Sequence, residues 1–208
     1  MTKSLVINCS LDRRANIEEL LGTIKKFSDC ITVRFGDIRA GYEIEKDVDA
    51  VVLSGSKARI VNPSHRDMFK VTVDLIHHLE TPILGICYGH QLLCWSLGCE
   101  AASLTEPMID RFEQVRILEV DEIFAGFEEH KTIPLAQSHY DYVMKDSLDS
   151  ARLVLLADSR SCEVEAIKHK HKPFYGVQFH PERTVINGHT FLEGHRVVEN
   201  FFKNVVKR

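Results

Sequence analysis

Two periods of apolar and polar positions run along this chain, and the change from one to the other divides it. In the first half, short continuous apolar runs alternate with segments whose apolar residues recur three and four apart. Leu5-Val6-Ile7-Asn8-Cys9 reads as a first strand, and Ile17, Leu20, Leu21, Ile24 and Phe27 mark one face of a helix. Cys30-Ile31-Thr32-Val33-Arg34 predicts a second strand and Ala50-Val51-Val52-Leu53 a third, unbroken in its apolar character as a strand buried on both faces must be. A helix follows over His65 to Leu79, with Met68, Val71, Leu75, Ile76 and Leu79 as its apolar set. After the breaker Pro82, Ile83 to Ile86 predicts a strand, and Leu92, Leu93, Trp95 and Leu97 fall at helical spacing beyond it. Strands alternating with helices imply a parallel sheet.

Beyond Leu97-Gly98 the pattern shortens. β-like pieces lie around Val115 to Leu118, Ile133 to Ala136, Leu153 to Ala157, Val164 to Lys168 and Phe174 to Phe179, with turn residues between them. A closing helix is predicted from about Phe191 to Val206. No linker or repeat interrupts the chain, so the expectation is one α/β domain over residues 1–208. Its mostly parallel central sheet is flanked by helices, with antiparallel strands added in the second half.

Composition narrows the function. The chain has 208 residues, 44% hydrophobic and 27% charged, enough for a proper core. A net charge of −4 without a Lys/Arg cluster on a predicted helix face gives no footprint for nucleic acid. Met1-Thr2-Lys3 leads straight into Ser4-Leu5-Val6-Ile7, too short an apolar run for a signal peptide, and no run approaches a membrane span, so a cytosolic protein with no membrane contact is expected. The cysteines at 9, 30, 87, 94, 99 and 162 show no metal-ligand spacing and no secreted-scaffold density; all but Cys87 read as reduced and structural. His169-Lys170-His171-Lys172, between two strand-like runs, reads as a solvated turn.

Cys87 stands apart. It occupies the turn between the strand ending at Ile86 and the helix that follows, with Gly85 and Gly89 bracketing it two residues away on each side. That frame lets a backbone adopt a strained elbow and lift a nucleophile above a sheet. A cysteine used only as a core hydrophobe, as Cys94 on the apolar side of the helix reads, needs no such frame. A cysteine nucleophile needs a base and a group that orients the base. Phe174-Tyr175-Gly176-Val177-Gln178-Phe179-His180-Pro181-Glu182 supplies both. In an extended segment, His180 and Glu182 leave on the same face, so the carboxylate can hold the imidazole in its working tautomer.

Gly85-Ile86-Cys87-Tyr88-Gly89-His90-Gln91, taken with Val177-Gln178-Phe179-His180-Pro181-Glu182, resembles the class I, triad-type glutamine amidotransferases, and the likeness covers nearly the whole chain. Within that family, Gln137-Ser138-His139-Tyr140-Asp141, Val164-Glu165-Ala166-Ile167-Lys168-His169 and Glu199-Asn200-Phe201 are most similar to the separate amidotransferase subunit of GMP synthase. The Asn8-Cys9-Ser10-Leu11-Asp12 segment departs from that subgroup's Asp-Asn-Gly-Gly-Gln type.

The resemblance implies a thioester mechanism with Cys87, His180 and Glu182 as catalytic residues. Main-chain N–H groups of Tyr88 and of Gly55 or Ser56 would form the oxyanion hole, and Gln91, Ser138 and His139 would hold glutamine. No metal or cofactor is expected in this chain. In the Ser54-Gly55-Ser56-Lys57 segment, Ser56 and Lys57 stand where the family carries a second glycine and a proline. If the loop needs positive φ there, serine adopts it at greater cost than glycine. The segment lacks phosphate-loop spacing, and the chain holds no nucleotide motif, so a partner synthetase using ATP and magnesium is implied, GMP synthase turning XMP into GMP being the nearest fit. Two alternatives stay open: a free-standing hydrolase of glutamine or γ-glutamyl compounds, and a non-catalytic regulatory module on the same fold.

Overall fold

The computed structural model describes residues 2–207, which leaves Met1 of the N-terminal reading outside the description. Strands β1 (Lys3–Asn8), β2 (Asp29–Arg34), β3 (Ala50–Leu53) and β4 (Ile83–Ile86) form a parallel group in the order β2-β1-β3-β4. The antiparallel group contains β5 (Ala101–Ile117), β6 (Thr132–Val143), β7 (Leu153–Ser159) and β8 (Ala166–His169), in the order β8-β7-β5-β6. Strand β9 (Phe174–Val177) joins the two, running parallel to β4 and antiparallel to β8, so a nine-stranded mixed sheet results.

The apolar runs are continuous because both faces of the parallel strands are covered. Val51 and Val52 are neighbours in β3, yet both are fully buried, one in each of two core clusters. Leu5 and Ile7 of β1 face the cluster built with Phe69, Ile76, Leu92 and Leu93. Val6 faces the opposite one, which contains Leu20 and Ile24 of α1 (Glu18–Ile24) and Val197 and Val198 of α5 (Glu193–Asn200). Each such side chain contributes about 1.5–3 kcal/mol through burial.

The secondary structure departs from the sequence reading in several places, and β9 stops at Val177, short of the Phe179 expected. The helix expected over His65 to Leu79 is two, α2 (Pro63–Met68) and α3 (Lys70–His78), parted at Phe69. Phe69 stacks on Phe35 at 4.1 Å and packs on Tyr88, while Met68, expected on the buried face, is 52% exposed. The core takes the aromatic ring and the helix breaks to deliver it. Strand β5 runs well upstream of Val115 because bulges around Met108 shift its register against β6, which blurs the alternation. Val164 and Glu165 precede β8 rather than opening it. Finally, Phe191 and Leu192 precede α5, since a small hairpin of β10 (Val185–Ile186) and β11 (His189–Thr190) intervenes and turns at Asn187-Gly188, both with positive φ. Helix α5 continues into a π-helical turn over Phe201–Val206.

Candidate active site

One residue separates β4 from α4 (Tyr88–Ser96), and it is Cys87, at φ 51° and ψ −106°. A non-glycine residue there carries strain of about 1–3 kcal/mol, sustained only where the surroundings dictate it. They do: the Cys87 N–H donates to the Val177 carbonyl at 2.8 Å. A β-carbon on Gly85 would lie 2.6 Å from the Gly89 carbonyl oxygen, and one on Gly89 would lie 2.3 Å from that of Leu53. The two glycines therefore let α4 settle directly onto β3 and β4. The thiol of Cys87 lies 3.6 Å from the Ser138 carbonyl oxygen, whereas Cys94 is fully buried in the small cluster with Cys99 and Leu153.

His180 follows β9 and is anchored by its own N–H, which donates to the Ala136 carbonyl at 2.8 Å. The Arg183 N–H donates back to the His180 carbonyl at 3.2 Å, so His-Pro-Glu makes a turn and not the extended segment the sequence suggested. The expected pairing still forms, with His180 Nδ1 2.7 Å from Glu182 Oε1, leaving Nε2 to the thiol. Burial alone would strip the imidazole of its proton, but the Glu182 carboxylate and the Cys87 sulfur outweigh it and hold His180 well above the ordinary histidine value. Burial likewise pushes Glu182 up, and His180 overrides it and lowers the carboxyl.

Gly55 lies against this pair. A β-carbon there would be 3.0 Å from His180 Cε1 and 3.6 Å from Cys87 Cβ. Neither Gly55 nor Ser56 has positive φ, so the conformational cost expected of Ser56 is absent. Its hydroxyl instead accepts the Ala58 N–H at 3.0 Å, closing a local turn that a serine favours. Tyr88 opens α4, and the N–H of a first helical residue has no partner within its helix.

A cleft of about 610 Å³ opens above Cys87, with Ser56, Arg59, Gln91, Ser138 and His139 among its walls. Gln91 is buried, its Nε2 donating to the Asp141 carbonyl at 2.7 Å and to Gln178 Oε1 at 2.9 Å. Both amide hydrogens are thus used, and its oxygen is what it can offer a ligand. His139 is buried too, with Nδ1 donating to the Asp141 carbonyl at 3.1 Å and Nε2 unpartnered. Burial lowers its pKa to about 4, so its ring is neutral.

Two parts of the wall escaped the sequence reading. Arg59 holds Asp141 with both arms of its guanidinium, at 2.9 and 2.5 Å, and bonds Ser103 at 3.0 Å while lying over the Tyr140 ring. The Ser-His-x-Asp pattern ending in Asp141 was a signal for a cationic partner, but nothing in the periodicity marks Arg59. Asp110, at φ 43° in the bulged part of β5, pairs with Arg183 at 2.7 Å, and that arginine holds its carboxyl below the usual range. Among the described residues no His, Cys, Asp or Glu group is arranged to hold a metal ion.

At the carboxyl end of one parallel strand a strained cysteine elbow meets a bonded histidine and carboxylate carried beyond the next, the set of groups that thiol-dependent acyl transfer on an α/β sheet requires. The chain belongs to the class-I glutamine amidotransferases, whose sequence profile matches residues 5–205. A glutamine-hydrolyzing GMP synthase subunit of Methanothermobacter thermautotrophicus is 45% identical over 132 residues, 62% of this chain and 64% of that one. The matched part is just under two thirds of that relative's length. The corresponding subunit of Methanococcus aeolicus is 34% identical over 79% of this chain and 78% of its own. In fold, the chain resembles a candidate GMP synthase subunit of Thermoplasma acidophilum, with a TM-score of 0.79, 24% identity and coverage of 97% and 92% of the two chains.

Proposed function

We propose that this chain hydrolyses glutamine to glutamate and ammonia and passes the ammonia to a separate ATP-dependent synthetase. The observation that carries the reading is the Cys87 elbow set beside the bonded His180 and Glu182 pair. The Cys87 sulfur attacks the side-chain amide carbon, and His180 protonates the nitrogen as the carbon–nitrogen bond breaks, releasing ammonia. Water, deprotonated by His180, then attacks the γ-glutamyl thioester, and glutamate leaves as the thiol is restored. Glu182 orients the ring throughout. The Tyr88 N–H, with that of Gly55 or Ser56, is set to stabilise the oxyanion, a contribution of about 2.7–4 kcal/mol per donor. Gln91, Ser138 and His139 line the space the glutamine side chain would enter.

The likeness to GMP synthase subunits supports a synthetase that converts XMP to GMP with ATP and magnesium, in the cytosol. No helix among the described residues is long and apolar enough to cross a membrane. The test is glutamate release by the chain alone and with a GMP synthetase subunit, ATP, magnesium and XMP. The expected result is abolition by Cys87→Ala and a rise with the loaded partner of about 5- to 150-fold, the usual span of coupling between sites. Full activity of the lone chain that no synthetase changes would favour a free-standing hydrolase instead.

A further inference from the structure

Behind the cleft wall lies a buried carboxyl group that the reaction does not use. Glu165 is wholly inaccessible, and both its oxygens face one group, the Gln137 Nε2, at 2.9 and 3.0 Å. Its main chain ties two further pieces together: its N–H donates to the Ala157 carbonyl at 2.9 Å, and its carbonyl accepts the Gln178 N–H at 2.8 Å. Gln137 sits between Ala136, whose carbonyl anchors His180, and Ser138, whose carbonyl lies beside the Cys87 thiol. Gln178 holds Gln91. One residue thus connects the backbone that seats the base, the nucleophile and the cleft floor.

We propose that Glu165, held as a neutral acid, is a positioning residue that locks the Ala136–Ser138 segment against His180 and Cys87 through Gln137. The proposal rests on the glutaminase reading above. An ionised carboxylate with only the Gln137 amide and the Ser159 hydroxyl beside it, and no cation among the described residues, would be left largely uncompensated at full burial. A neutral acid instead needs an acceptor for its hydrogen, and one is at hand. Gln137 Oε1 has no partner, and turning that amide by half a rotation, which exchanges its N and O, presents it to the acid. The acidic groups facing Glu165 oppose its ionisation. Glu113 on β5 and Asp158 on β7 are carboxyl groups, bonded to Ser161 and Arg116, and the Cys162 thiol lies in the loop between. Glu165 is raised to about 8, with burial the largest cause, Gln137 and Ser159 holding the rise back only in part, and Glu113 and Asp158 adding to it.

The experiment is the pH profile of kcat for glutamate release by the full chain and by Glu165→Gln, which keeps a neutral group of the same shape. Turnover of the parent is expected to fall as pH climbs through about 8, and the fall is expected to vanish in Glu165→Gln. Glu165→Gln should keep roughly half or more of the neutral-pH kcat, while Glu165→Ala, which frees Gln137, should lose on the order of 10- to 100-fold. The same alkaline fall in parent and Glu165→Gln would overturn the proposal, as would a Glu165→Gln enzyme as slow as Glu165→Ala. Melting curves decide it without activity. A raised acid stabilises fully below its unfolded value of 4.5 and loses that contribution as pH rises toward about 8, so the parent should weaken relative to Glu165→Gln across that window. Parallel curves would overturn the neutral acid. Failure of the functional reading shows separately, as equal glutamate release by the parent and Cys87→Ala.

Discussion

Replacing Gly55 by alanine places one methyl group 3.0 Å from His180 Cε1, about 0.5–1 Å inside the usual carbon–carbon separation. Gly55 has no positive φ, so alanine meets no backbone penalty and the whole effect falls on the contact. The ring cannot retreat freely, since Nδ1 is bonded to Glu182 at 2.7 Å and the His180 N–H to Ala136 at 2.8 Å. Relief must come from a tilt of the imidazole by a few tenths of an ångström, away from its line to the thiol. The stability cost should stay near the low end for overpacking, about 1 kcal/mol, or roughly 2–4 °C in Tm for a chain of this size. Turnover should suffer more, since small misplacements at reacting groups cost up to about 100-fold. Measured as glutamate release, Gly55→Ala should lower kcat by on the order of 10- to 100-fold with KM changed far less. Parent kcat at unchanged melting temperature would show that His180 does not stand where the reaction needs it, and a kcat loss matched by wholesale unfolding would show that the contact is structural.

Glu182→Gln should reduce kcat less than His180→Ala, and the stability it loses should be greatest between about pH 4.5 and 6.5. Above that window the unfolded histidine loses its proton while the raised His180 keeps it, below it the unfolded glutamate gains one, and the pair's contribution fades on either side; a pH-independent difference in unfolding free energy would refute the pairing. Asp141→Asn should destabilise by about 1–3 kcal/mol in denaturant unfolding, less than a fully buried pair because Arg59 is 35% exposed, and should raise KM by loosening the wall that Gln91 and His139 share. Ser56→Gly should leave kcat within about two-fold, since no left-handed backbone waits for the glycine.

The parallel half was legible because burial on both faces writes itself as unbroken apolar runs, and the elbow because its glycines are demanded by 2.3–2.6 Å approaches that no other residue permits. His180 and Glu182 were readable as a pair although the backbone between them turns, since two-residue spacing serves either geometry. What stayed hidden was set by tertiary choice. Phe69 and Met68 are both apolar, and only the cavity between Phe35 and Tyr88 decides which one goes in. The bulges of β5 leave no period to follow, and Asn187-Gly188, the strongest hairpin signal in the C-terminal part, gives little away because the strands it joins are two residues each. Arg59 and Glu165 are ordinary charges in sequence and acquire meaning only from the partners the sheet brings to them.

Strand β9 reaches the ribosome exit after almost everything it must touch. Until Phe174–Val177 is made, β4 and β8 each present a bare edge, one apolar and parallel-seeking, and Cys87 lacks the Val177 carbonyl that holds its elbow. Insertion of this four-residue strand closes both edges at once, seats the nucleophile and delivers the histidine behind it. A chain cut short before β9 therefore offers two open edges to any neighbour and no chemistry, which makes stalled or truncated copies prone to aggregate and harmless to glutamine. Of the two pairings β9 makes, that with β8 is a local hairpin, while that with β4 spans a long stretch of chain and must bear its loop entropy before any contact repays it.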